Sequence, residues 1–390
     1  MSEVLMKITR NMNTYHIEEL YPLCYTHPDL RLPVSMSHGG LLGVDASLAQ
    51  LVITWAKAQK KSTLHLYADT ENALEHVSQL AKTAAGLAAL VMSSEIESEN
   101  HDPIDRRAAL TVIRPMVEAM FESNLKHTSG GKGARPKVVN LFSINHAQME
   151  YIKPFYFGER EPEVHKWPTF STLIEDLSLV MHTRHERNAL MRSGLSALGT
   201  VLEELISNAD EHAACDLKGE KYKKGLRGMT VKASRISKAE IKNYSHNEPE
   251  FARFVIKHMV KDVDALDFLE LSVIDSGPGL ARRWLSMREG APLESLDKLT
   301  LEEELQATLD CFKKHVTTKP SKESGMGLHN AVQAFNRLQA YVRLRTGRLC
   351  LSQAFQGNEG EAAYHPKKWS GGGELEAAEG TVFTICIPVN

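Results

Sequence analysis

Glu204 and Asn208 stand four residues apart in EELISNADEH, so on a helix both polar heads project from one face, one turn apart. Leu202, Leu205, Ile206 and Ala209 supply the apolar faces around them. A carboxylate and a carboxamide so placed suit a magnesium–nucleotide site. The amide oxygen is a hard ligand for the ion, and the carboxylate can orient or deprotonate an attacking water or hydroxyl. A second element, LELSVIDSGPGLA, delivers Asp275 at the end of an apolar strand, with Gly277 and Gly279 directly after it. A carboxylate there can accept a hydrogen bond from an amino-bearing base, and glycines let the backbone pass close to a flat ring. Such a charge-assisted bond is worth about 1.5–3 kcal/mol, enough to select adenine over a base offering an acceptor. In a third element, ESGMGLHNAV, Gly325 and Gly327 open onto a helix whose first turn leaves backbone N–H groups free for an anion.

In this order the three elements resemble the GHKL superfamily of ATPases, which includes gyrase-type topoisomerases, heat-shock chaperone ATPases, histidine kinases and mismatch-repair ATPases. EELISNADEH looks like the superfamily's N box, DSGPGL like its G1 box and SGMGL like its G2 box. The closing GTVFTICIPV resembles the last strand of the histidine-kinase branch. The resemblance implies a Bergerat-type α/β sandwich over 186–390, a mixed sheet with helices on one face, holding ATP and Mg2+. It implies Glu204 as the acid/base or water-orienting residue and Asn208 as the magnesium ligand. Asp275 would read the adenine amino group, with Gly277 and Gly279 shaping the base pocket. Gly325, Gly327 and Leu328 would lie along the phosphates, and Thr381 would place a hydroxyl near the adenine. A loop from about 282 to 324 would form the ATP lid.

Two departures from these relatives bear on function. His185-Glu186-Arg187 is similar to a phospho-acceptor box, yet it precedes Glu204 closely on the same helical run, so a structural or surface role is expected. His182 and His185 lack a third metal ligand. No transducer domain is expected after Asn390 to bring a lysine to the γ-phosphate, so either a partner supplies one or turnover is slow. The reading is a slow ATPase acting as a nucleotide-dependent switch for a protein partner or effector, with a homodimer as a candidate assembly. The alternatives are a protein kinase similar to the anti-sigma serine kinases and a module that only binds ATP.

The elements upstream alternate. RLPVSM (31–36) and STLHLYA (62–68) read as strands, and DASLAQLVITWAKAQ and ENALEHVSQLAKTAAGLAAL as helices with apolar 3.6-residue spacing. This β-α-β-α order predicts a smaller α/β domain over 1–100 and resembles the STAS domains of anti-sigma antagonists. Residues 101–185 form a connecting region of no assignable fold. It holds a helix that Pro115 should kink, a Gly/Lys/Arg loop at 127–136, and a strand candidate at 136–144. The long helical run from Thr172 should break once, at Gly194 or Gly199. RGMTVKASRIS and LDFLELSVIDSG read as strands, GLHNAVQAFNRL as a helix, and AYVRLRTGRLCLSQAF as a hairpin turning at Thr346-Gly347.

Across 390 residues the net charge is −3, which argues against non-specific nucleic-acid binding and makes nucleic acid an unexpected ligand. The 5 cysteines are scattered without metal-type spacing, as in a reduced cytoplasmic protein. No apolar run approaches the roughly 20 residues of a membrane span, and the N-terminus lacks the pattern of a signal peptide.

Overall fold

A computed structural model describes residues 5–34, 41–125, 129–130, 138–181, 184–259, 264–288, 292–296, 298–313, 327–369 and 373–389. The chain is α/β, and among these residues its strands form a parallel sheet, a larger antiparallel sheet and a small two-stranded ribbon.

The N-terminal elements are β1 (Leu5–Lys7), α1 (Thr14–Glu18), α2 (Tyr21–Cys24), β2 (Asp29–Arg31), α3 (Val44–Ala58), β3 (Thr63–His65), α4 (Ala73–Leu80), α5 (Ala84–Met92) and β4 (Glu95–Glu97). Strands β1 to β4 lie side by side in sequence order, all parallel. The strand expected at 31–36 is displaced to Asp29–Arg31, and residues 35–36 lie outside the described set. The run expected as one helix over 71–90 is two, because the Thr83 hydroxyl accepts from Gly86 N–H and starts α5 afresh. Helices α3 and α5 are buried around most of their circumference, the mark of helices enclosed within a core.

Next come α6 (Arg106–Phe121), β5 (Ser129–Gly130), β6 (Val138–Ile144), β7 (Tyr156–Phe157), β8 (Glu163–Val164), α7 (Trp167–Met181) and α8 (Arg184–Ala213). Pro115 sits inside α6 without interrupting it, and the helix runs on to Phe121. The run from Thr172 is divided more than the single break expected: it is shared between α7 and α8, with 182–183 outside the described residues, and Gly194, with φ 122° and ψ 71°, interrupts α8. Gly199 serves packing instead. A Cβ there would lie 2.3 Å from Trp167 O and Ser171 Oγ, so its absence lets α7 lie directly against α8.

The remaining elements are β9 (Leu226–Ser237), α9 (Lys242–Ser245), α10 (Pro249–His258), β10 (Ala265–Asp275), α11 (Leu280–Arg288), α12 (Leu293–Leu296), α13 (Leu301–Asp310), α14 (Gly327–Arg337), β11 (Tyr341–Gly347), β12 (Leu349–Ala354), β13 (Lys367–Lys368) and β14 (Ala378–Pro388). The large sheet has the order β13-β12-β11-β14-β10-β9-β6-β5. Its described pairings are all antiparallel, which corrects the expected mixed sheet. The connecting region thus contributes a strand, since β6 pairs with β9 along its whole length.

Cross-strand register divides this sheet into two unlike faces, because side chains alternate along each strand. One face carries the rows Leu141–Met229–Val273–Phe383–Leu344 and Val139–Val231–Leu271–Ile385–Val342. These apolar rows back onto α8, and α14 packs against α8 in turn. The other face carries Asn140–Thr230–Ser272–Thr384–Arg343. Helix α3 lies on it: a Cβ on Gly43 would meet Thr384 Oγ1 at 2.1 Å and Ser272 Oγ at 3.1 Å. Helices therefore cover both faces, where one was expected, because the N-terminal layer docks on the second.

Candidate functional site

Helix α8 presents Glu204 and Asn208 toward the start of α14. Both are half-buried, with Leu202, Leu205 and Ile206 beneath them in the core. A Cβ on Gly327 would lie 3.0 Å from Glu204 Oε2 and 3.8 Å from Asn208 Nδ2, so a side chain there would press on the Glu204 carboxylate. One turn into α14, Asn330 Nδ2 donates to Glu204 Oε1 at 2.9 Å and fixes the carboxylate's orientation. Asn208 Nδ2 is buried with no hydrogen-bond partner among the described residues. A buried polar atom left unsatisfied is costly, so this amide is set up to meet a polar ligand. Leu328 is different: its side chain is in the core, so only its backbone faces the gap.

Asp275 ends β10, in a polar row that continues the apolar ones: Ser143–Arg227–Asp275–Thr381–Thr346. Its Oδ1 accepts from Gly277 N–H at 2.8 Å, and Thr381 also hydrogen-bonds the carboxylate. Burial pushes the Asp275 carboxyl up to about 6, against the opposing pull of those hydrogen bonds and of the Lys57 charge. Gly277 lies so close to the end of α8 that a Cβ would be 2.7 Å from Ala213 Cα. Gly279 has φ +87°, and the turn is tied down where Leu280 N–H donates to Thr346 Oγ1 at 3.0 Å. Gly380, φ +74°, donates its N–H to Gly277 O at 2.7 Å and would clash with Asp275 O if it bore a Cβ. Beside Asp275 in the row, Arg227 is buried and pairs with Asp210 of α8 at 2.9 Å and with Glu150 at 3.1 Å.

Helix α8 relates the two groups. Gly277 packs on Ala213, nine residues beyond Glu204, so the carboxylate of Glu204 stands about 13 Å further along the helix axis. The apolar rows of the sheet form the floor beneath that stretch.

The N-terminal layer reaches the same loops from the opposite side of the sheet. Lys57 of α3 is largely buried, pairs with Glu379 at 3.1 Å, donates to Ser276 O, and lies 3.7 Å from the centre of the Tyr222 ring. Thr54 Oγ1 accepts from Glu379 N–H at 3.0 Å. Gln50 Nε2 donates to Arg345 O at 3.1 Å and Gly380 O at 3.4 Å. Three successive turns of one helix thus grip the segments flanking Asp275 and Thr381.

The expected lid is helical in its first half. Helix α11 is fastened to the end of α8 through Arg283 Nε, which donates to His212 O at 2.8 Å. Helix α13 starts in a capping box at Thr300 and Glu303. Its buried Glu304 accepts from Arg348 N–H and Nε, each at 2.8 Å. Lys313 pairs with Asp310 at 2.6 Å. Residues 314–326, including Gly325 and Lys314, Lys319 and Lys322, lie outside the described residues, as do His182 and the side chain of His185.

Sequence reasoning missed Asn330, Thr346, Gly380 and Lys57. The first was in plain view in GLHNAV, one turn past Gly327, where a helix brings it back over the same face. The others come from strands and a helix that only the sheet brings to Asp275. The chain matches no protein-family model and no curated protein sequence.

Proposed function

We propose that the chain binds ATP with magnesium along α8 and hydrolyses it slowly, as a switch read by a protein partner. The observation that carries this is the pairing of two chemically different ends on one helix. One end offers a half-buried carboxylate framed by glycine turns, and the other a glycine-opened helix start beside an oriented carboxylate and an unsatisfied amide. A base bearing an amino group suits the first, and a polyphosphate the second. This is the arrangement that the resemblance to the GHKL superfamily implies, with Asp275 reading adenine and Glu204 and Asn208 at the γ-phosphate.

Magnesium would be met by the amide oxygen of Asn208, a hard ligand, while the unpartnered Nδ2 of the same amide, a donor, suits a phosphate oxygen. When bound, the ion would neutralise phosphate charge. The chain's own contribution is positional. Asp275 accepts a hydrogen bond from the adenine amino group, Gly277 and Gly279 let the ring approach, and the backbone of Gly327 and Leu328 meets phosphate oxygens. Glu204, held by Asn330, orients a water and takes its proton. The grip of Gln50, Thr54 and Lys57 on the base loops supports the switch, since any shift of those loops on binding must move α3 or break its bonds.

Calorimetry of Mg–ATP binding, paired with phosphate release, tests this. Glu204→Gln should keep affinity and lose turnover. Asp275→Asn should lose about 10- to 100-fold in affinity, the equivalent of the roughly 1.5–3 kcal/mol of a charge-assisted bond. Unchanged affinity in Asp275→Asn defeats the adenine assignment, and unchanged phosphate release in Glu204→Gln defeats the hydrolytic one.

A further inference from the structure

A second cluster with ligand chemistry lies in the parallel sheet, at the carboxyl ends of its strands. His65 ends β3 and Glu97 ends β4, adjacent in register. His101 returns over them from the loop that follows. That loop is tightly built. Ser98 Oγ accepts from Asn100 N–H at 3.2 Å and Asp102 N–H at 3.1 Å, and Ser98 N–H donates to Asp102 O at 2.8 Å. Thr70 Oγ1 donates to Asp102 Oδ2 at 2.9 Å, and His101 itself adopts φ 66°, a conformation that a residue with a Cβ seldom takes without reason.

The decisive atom is His65 Nδ1. The ring is 4% exposed, and its Nε2 is 3.1 Å from Asp29 Oδ1, an acceptor that holds the proton on Nε2. Nδ1 then carries a lone pair, is buried, and has no hydrogen-bond partner among the described residues. It faces Glu97 Oε2 at 3.6 Å, beyond hydrogen-bond range, and His101 Nδ1 is 3.4 Å from the same oxygen. One ligand atom from each of the three residues lies within 4.8 Å of the others. A lone pair and a carboxylate oxygen repel unless a cation lies between them. Zinc bonds of about 2.0–2.2 Å at the tetrahedral angle set ligand atoms about 3.3–3.6 Å apart, which matches the spacings of 3.6 and 3.4 Å about Glu97 Oε2.

We propose that His65 Nδ1, Glu97 and His101 Nδ1 form a three-ligand site for a zinc-class divalent transition metal, with Asp29 orienting His65 from behind. The carboxylate–histidine–metal order is the usual second layer of support for such a ligand. Two imidazoles with one carboxylate select zinc, nickel or copper over magnesium and calcium, which require oxygen ligands. Among the described residues, Asp29 and Glu97 are set against Arg31, which is held over the Tyr67 ring, and Lys61, which is paired with Glu95 at 2.8 Å. The assignment stands apart from the nucleotide reading and uses none of its residues.

The test is titration of the full chain, stripped with chelator, with Zn2+ against a chromophoric competitor and with Co2+ as a spectroscopic probe, in excess Mg2+. One equivalent of Zn2+ should bind, and Co2+ should give a tetrahedral visible spectrum without a thiolate charge-transfer band. His101→Asn keeps a residue that tolerates positive φ, so the fold is preserved, and should weaken Zn2+ at least 10-fold, as should Glu97→Gln. Asp29→Asn should weaken it about 10- to 100-fold. Failure of the parent chain to bind Zn2+, unchanged affinity in both His101→Asn and Glu97→Gln, or a thiolate band with Co2+ would each overturn the proposal.

Discussion

The two faces of the antiparallel sheet are built from the same strands and held in opposite ways. Toward α8, β10 and β14 present Leu271, Val273, Phe383 and Ile385, a surface whose attraction is non-directional and grows with the area removed from water. Toward α3 the same strands present Glu270, Ser272 and Thr384, with Arg343 and Arg345 alongside on β11. Here each group needs a particular partner. Arg345 bonds Glu18 of α1 at 2.9 Å and lies over the Tyr21 ring at 4.8 Å. Arg343 reaches Glu18 at 3.5 Å and Glu248 at 3.7 Å, and Lys232 meets Asp45 at 3.5 Å. Burial pushes the Glu270 carboxyl up, with Lys232 opposing the shift. Apolar rows make the sheet cohere with its helices, whereas the charged face specifies which layer docks there and in which register. A buried ion pair adds little net stability over an apolar isostere, but breaking one is costly.

The largest expected effect breaks the charged face. Arg345→Met leaves the buried Glu18 without its closest cation and should destabilise the chain by about 3–5 kcal/mol in denaturant unfolding. Adding Glu18→Gln should recover most of that loss, and a double variant no better than the single one would contradict the pairing argument. On the apolar face, Ile385→Val removes one buried methylene from a row that can relax, and should cost only about 0.5–1.5 kcal/mol. An equal penalty on both faces would erase the distinction between them.

Smaller effects probe how the charged side reaches the proposed nucleotide site. Lys57→Met removes the cation beside Glu379 and the Asp275 turn while keeping its stem. ATP affinity should fall several-fold, with a modest stability change. Unaltered affinity would mean that α3 braces the loops without influencing the pocket. Acidification gives the finest test. With its carboxyl pushed up to about 6, Asp275 should lose its acceptor charge as the pH falls from 7 through 6, so ATP affinity should decline there. Stability should move oppositely at this group. Its raised value means that the folded chain binds the proton more tightly than the unfolded one. The stabilisation is therefore fully present below about 3.8 and lost as the pH rises through about 6. Titrating affinity and unfolding together should show the opposed slopes, which Asp275→Asn should remove.

Much of this layout was legible in the chain. The 3.6-residue spacing marked α3, α8 and α14, the apolar run into Asp-Ser-Gly marked the end of β10, and the break near Gly194 was foreseen. These depend on local steric rules, which a short window of sequence carries. Glu204 and Asn208 could be paired from spacing because one helix holds both. Pro115 and Gly199 show the limit. Each is a helix-weakening residue kept inside a helix, and for Gly199 the reason is the closeness of α7. What only tertiary structure decided is where the chain's distant parts meet. Glu18 and Arg345 are separated by 327 residues, and Lys57 reaches a carbonyl 219 residues away. No periodicity encodes such pairs, because they depend on strand order and on which face a docked helix covers. The residues of the proposed nucleotide site are named by their types, their spacing and an order that resembles the GHKL superfamily. Their bracing by Asn330, Thr346, Gly380 and α3, and the meeting of His65 with His101, exist only once two sheets have folded and the loops between strands have closed.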